Sequence, residues 1–126
     1  MLREEIRQCM SGLRASGHEG LSATFTFPEG FTGFQGHFPD HPVLPGICLV
    51  QALLVMVEAW KGTPVALREV VVAKFFSMVS PCDEVRFDCH ANSHSPGATL
   101  AKASVTSGDK KVAQLTMKIG HIGHAG

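Results

Sequence analysis

The segment from Ile47 to Trp60 does most to constrain the fold of this chain. It is apolar nearly all round, so a helix formed from it has to be enclosed on every side rather than laid on a surface. Read as a central helix over 45–60, it is about 24 Å long. Gly62-Thr63-Pro64 stops it. Its longest apolar window, Ile47 to Val57, is interrupted by Gln51 and falls short of the ~20 residues that cross a bilayer. Ahead of it runs Gly36-His37-Phe38-Pro39-Asp40-His41-Pro42-Val43-Leu44-Pro45-Gly46. Each proline there fixes its own φ and keeps the preceding residue out of the helical region. The loop is therefore extended and stiff, and it holds His37 beside the positive end of a buried helix, an arrangement suited to acid–base chemistry.

The rest of the chain supplies the enclosure. Leu21, Ala23, Phe25 and Phe27 alternate with Ser22, Thr24 and Thr26, the period of a half-buried strand. Val70 to Phe76 reads as a buried strand. Three further alternating runs follow: Val85, Phe87, Cys89 and Ala91; Ala101, Ala103 and Val105; Leu115, Met117 and Ile119. Turn-rich stretches at 92–97 and 107–109 join these last three as consecutive antiparallel strands. At the N-terminus, Leu2, Ile6, Cys9, Met10 and Leu13 fall at helical spacing, giving an amphipathic helix within residues 1–16. The tail, residues 121–126, is read as frayed. One α+β domain over 1–126 results, an antiparallel sheet wrapped round one long helix, with an extra N-terminal helix.

Composition narrows the function. The 126 residues include 11 basic and 11 acidic side chains, for a net charge of zero. That balance lacks the basic patch of a nucleic-acid binder and offers no grip on anionic lipid. The four cysteines, Cys9, Cys48, Cys82 and Cys89, form no CxxC pair and read as reduced core residues of a cytoplasmic protein. The start Met1-Leu2-Arg3-Glu4-Glu5 is not that of a signal peptide. The histidine pairs His37/His41, His90/His94 and His121/His124 do not sit at metal-ligand spacing on regular elements, so no metal is expected. No glycine-rich phosphate loop is present, so neither is a nucleotide cofactor.

Residues 34–46 resemble the signature of the 3-hydroxyacyl-acyl-carrier-protein dehydratases, GHFPxxPxxPG leading into the central helix of a hotdog fold. A second stretch, Ala73-Lys74-Phe75-Phe76-Ser77-Met78-Val79-Ser80-Pro81-Cys82-Asp83-Glu84, resembles the family's KFxxPVxPGD segment. The likeness covers roughly residues 20–120; the family's LPHRxPFLLVD-like leader is absent. It implies a hotdog homodimer with two acyl sites at its interface. It also implies a thioester substrate on the phosphopantetheine of acyl carrier protein or on coenzyme A, and no cofactor of the protein's own. His37 matches the family's catalytic histidine. The family's acid on the central helix, six residues on from Pro45, is Gln51 here.

Dehydration of a 3-hydroxyacyl thioester needs a base, a stabiliser of the enolate-like oxygen and a proton for the leaving hydroxyl. His37 suits the base, with an ordinary pKa near 6.5. The backbone N–H of Gly46, at the helix start, suits the thioester oxygen. Gln51 cannot give up a proton. It either orients the hydroxyl while His37 returns the proton, or holds a water for thioester hydrolysis, or belongs to a subunit that binds acyl chains without turnover. Of the other acids, Asp40 and Asp83 lie in loops that could approach, whereas Glu58, two turns along the same helix face and about 10 Å away, is too far to share the site unless it serves the other end of the acyl tunnel. Phe38, Pro45, Phe75 and Phe76 are candidates for the acyl-binding wall. Arg68 and Lys74 are candidates for the pantetheine phosphate at the dimer rim.

Overall fold

Helix α2 (Gly46–Lys61) is buried from Cys48 to Val57 with one interruption, the half-buried Gln51. The surroundings are seen in a computed structural model that describes residues 2–35, 42–95 and 97–122. Pro45 precedes the helix in extended backbone, and Gly62 ends it in the left-handed region at φ 72°, where a side chain would be strained.

The chain opens with α1 (Leu2–Gln8), β1 (Met10–Ser16) and β2 (Gly20–Thr26), followed by a 3-10 turn (Thr32–Phe34). After α2 come β3 (Val65–Phe75), β4 (Glu84–Ser95), β5 (Ala98–Ser107) and β6 (Lys110–His121). All six strands form one antiparallel sheet in the order β1-β2-β4-β5-β6-β3. This is the hotdog architecture expected from the sequence. Register lines up the alternating apolar positions: Phe25 faces Val85, Phe87 faces Val105, and Ala103 faces Leu115. One sheet face thereby presents a continuous apolar surface to α2, and Leu53, Leu54, Met56, Phe25, Phe87 and Met117 are fully enclosed between them.

Four expectations need correction. The N-terminal helix stops at Gln8 rather than running to residue 16, because Met10 to Ser16 pair with β2. Gly12 takes φ 63° in a bulge of that pairing, a conformation no helix contains. His121, expected in a frayed tail, is the last residue of β6, and its Nε2 lies 2.8 Å from the hydroxyl of the buried Thr99. Cys82, expected in the core, is exposed in a turn at φ 69°, whereas Cys48 and Cys89 are buried. Finally, β3 begins five residues before the expected start, and it is an edge strand that exposes Val70 and Val71 instead of burying them. Two bulges in its pairing with β6 break the alternation that would mark one buried face.

Candidate active site

The two stretches singled out in the sequence meet at the start of α2. The Leu44 N–H donates to the Val79 carbonyl at 2.9 Å, tying the proline-rich approach to the segment after β3. At Gly46 the helix begins behind an N-cap residue, Pro45, that supplies no side-chain cap. The Cys48 N–H of the first turn donates to the Pro45 carbonyl at 2.9 Å, while the Gly46 N–H, with no partner among the described residues, lies at the partly positive end of the helix. The Phe75 ring lies directly on Gly46: a Cβ added there would sit 2.7 Å from Cζ and within 3.1 Å of both Cε atoms. A side chain at position 46 would therefore have to push the ring aside. Half-buried Pro45 borders the same place, and Phe75 and Phe76 remain half exposed. Phe76 is fixed by its N–H to the Val112 carbonyl and carries the Lys111 ammonium 5.4 Å from its ring centre. Ile47 and Met78, exposed by 55% and 72%, extend the apolar surface.

Gln51 lies five residues along α2 from Gly46, a rise of about 7.5 Å. Its Oε1 accepts a hydrogen bond from Arg3 Nε of α1 at 3.1 Å. The guanidinium is itself held: Arg3 Nη1 donates to the Val65 carbonyl at 3.0 Å and lies 3.8 Å from Glu58 Oε2. Glu58 pairs as well with Arg7 and accepts from the Val65 N–H. Glu58 is thus committed to joining α1, α2 and β3. Asp83 is committed too, since its carboxylate accepts the Ser80 N–H at 2.9 Å within its own turn.

Gly46, Pro45 and Phe75 are brought together, with Phe76 next along the chain and Gln51 further along the helix. His37 and Phe38, with Asp40 and His41, lie outside the described residues. Arg68 and Lys74 are not gathered at this place. Lys74 faces a polar trough on the outer side of the sheet beside Arg86 and Lys102, while Arg68 lies over Gly120, six residues earlier on β3, about 20 Å from Lys74. The residue that sequence reasoning missed is Arg3. Its contact with Gln51 bridges 48 positions, and no local spacing announces it.

Burial sets the thiols of this region. Cys48, on the first turn of α2, has its pKa pushed up to about 11 by desolvation, with a smaller contribution from the Glu5 charge. It stays a protonated, inert core residue rather than a nucleophile.

Comparison with known proteins adds to this geometry. The family described as ApeI-like, ApeI dehydratase, matches residues 14–115. A 3-hydroxyacyl-[acyl-carrier-protein] dehydratase FabZ of Clostridium acetobutylicum is 30% identical over 128 residues, covering 94% of this chain and 86% of its own. The FabZ of a Thermoanaerobacter species is 28% identical over 120 residues, covering 90% and 80%. Among solved structures, the dehydratase heterocomplex ApeI:P from Xenorhabdus doucetiae superposes with a TM-score of 0.72 at 14% identity, covering 88% of this chain and 96% of that one.

Proposed function

Because the chain belongs to the ApeI-like dehydratase family, we propose that it removes water from 3-hydroxyacyl thioesters to give trans-2-enoyl thioesters, in fatty-acid or related acyl-chain synthesis. The observation that carries this reading is the uncapped start of α2 at Gly46, roofed by the Phe75 ring and tied by Leu44 to the segment at Val79. A thioester oxygen placed at the Gly46 N–H receives a hydrogen bond from a group with no partner among the described residues, aided by the helix dipole. Negative charge gathers on that oxygen as the C2 proton leaves. His37 takes that proton, the C2=C3 bond forms, and the C3–O bond breaks. The same imidazolium returns its proton to the departing hydroxyl, which leaves as water. Protons balance with one titrating residue, and Gln51 serves as a neutral hydrogen-bonding partner of the 3-oxygen.

The substrate arrives on the phosphopantetheine of acyl carrier protein, the carrier named for the FabZ relatives, and no resident cofactor is needed. The acyl chain runs along the apolar wall of Phe38, Pro45, Phe75 and Phe76. Two copies join through the β3 edge. Its unpaired edge and the exposed Val70, Val71, Phe75 and Met78 favour such pairing, and it brings the exposed side of Phe75 under cover. The reaction is placed in the cytoplasm, consistent with four free cysteines. Incubation of the purified protein with a panel of 3-hydroxyacyl carrier-protein thioesters tests the reading. The enoyl thioester is the expected product. Release of free acid would make the protein a thioesterase, and binding with neither product would make it an accessory acyl-binding subunit.

A further inference from the structure

Arginine has only donors, so whichever atom of the Gln51 carboxamide faces Arg3 must be the oxygen. The 3.1 Å contact from Arg3 Nε therefore fixes the orientation of the amide group, a choice that geometry alone leaves open. The guanidinium cannot follow a moving glutamine. It is anchored directly by the Val65 carbonyl at 3.0 Å, and the neighbouring Glu58 accepts the Val65 N–H, so β3 holds it in place. The far arm of the carboxamide is then the NH2, a donor.

We propose that Arg3 is a positioning residue of this site: by holding the Gln51 oxygen toward α1, it makes Gln51 present N–H donors, and not an acceptor, to the 3-oxygen of the acyl substrate. The proposal rests on the dehydratase reading. It also changes what a carboxylate at position 51 would do. Arg3 would pair with Gln51→Glu as an ion pair, leaving a carboxylate that offers the substrate no donor, so the family's acid does not restore activity in this setting.

Arg7 provides the control, since it joins α1 to Glu58 without touching Gln51. With a 3-hydroxyoctanoyl N-acetylcysteamine thioester as substrate, Arg3→Met lowers kcat about tenfold, the loss of one oriented hydrogen bond, with KM nearly unchanged. Arg7→Met leaves kcat near wild type although it weakens the same helix pair, and Gln51→Glu shows no gain. Equal losses in the two arginine variants, or no loss in Arg3→Met, overturn the proposal. A second readout does not need turnover. The Gln51 side-chain amide signal, identified by its disappearance in Gln51→Glu, shifts when the non-hydrolysable amide analogue of that substrate is added to wild type. The shift is lost in Arg3→Met while other signals still report binding. A Gln51 signal that stays still while others move overturns the proposal. If the amide shifts as expected but no thioester is dehydrated, the dehydratase reading falls and the positioning role stands. If nothing moves and nothing turns over, both fall.

Discussion

A carboxamide at position 51 and a glycine at position 46 define what single residues do here. At Gly46 the Phe75 ring occupies the place a side chain would take. Gly46→Ala forces the ring aside. The ring is the free end of a half-exposed side chain, so it can swing away and the fold loses little. Thermal unfolding should stay close to wild type while turnover falls about 10²-fold, the cost of misplacing a bound group by an ångström. A large fall in melting temperature would show that the ring is instead a fixed part of the core. The cysteines separate in the same way. Burial raises Cys48 to about 11 and Cys89 to about 12 from 9.0, so both are thiols at pH 8. Exposed Cys82 should react with a thiol reagent in the native state, and the two buried ones only on unfolding. Between pH 9 and 11 the unfolded chain ionises both thiols while the folded chain keeps them protonated. The folded state then holds more protons, and stability falls as pH rises by at most about 1.4 kcal/mol per pH unit for each thiol. Urea titrations should show that decline shrink in Cys89→Ala.

At the scale of elements, β3 carries the consequence for assembly. It ends the sheet with an open edge and exposes Val70 and Val71, at a bulge in its pairing with β6. Val71→Lys puts a charge on that edge, the device by which sheets resist pairing. Light scattering should show wild-type dimers and variant monomers; an unchanged dimer would place the contact elsewhere. This strand also marks where the sequence stops being legible. Helix α2 could be read because its apolar run allows one solution, and β4, β5 and β6 because strict alternation survives in their register. In β3, bulges at Leu67/Glu69 and Val70/Val72 erase the alternation. In β1, Met10 and Leu13 continue a helical spacing by coincidence, and only the positive φ of Gly12 and pairing with β2 decide for a strand. At the site, Gly46 was legible through its proline and Gln51 through its polarity inside an apolar helix. Arg3 was not, because the contact exists only once α1 has folded onto α2.

Across the whole molecule, one helix enclosed by one sheet accounts for both stability and chemistry. Within the buried stretch of α2, Gln51 is the one polar side chain, and at its start the Gly46 N–H has no partner among the described residues. The short helix α1 then closes over Gln51 through Arg3 and over Glu58 through Arg3 and Arg7. On the proposed reading, dehydration rests on one titrating residue, His37, working with hydrogen-bond donors at Gly46 and Gln51. The most direct measurement runs the reaction backward: the protein is mixed with a trans-2-enoyl carrier-protein thioester in deuterated water and the product is read by mass spectrometry. Wild type should yield a 3-hydroxyacyl thioester carrying one deuterium at C2, and His37→Ala should slow its formation about 10²–10⁴-fold. Hydration at an undiminished rate in His37→Ala, or release of the free acid in place of the hydroxyacyl thioester, would contradict the account.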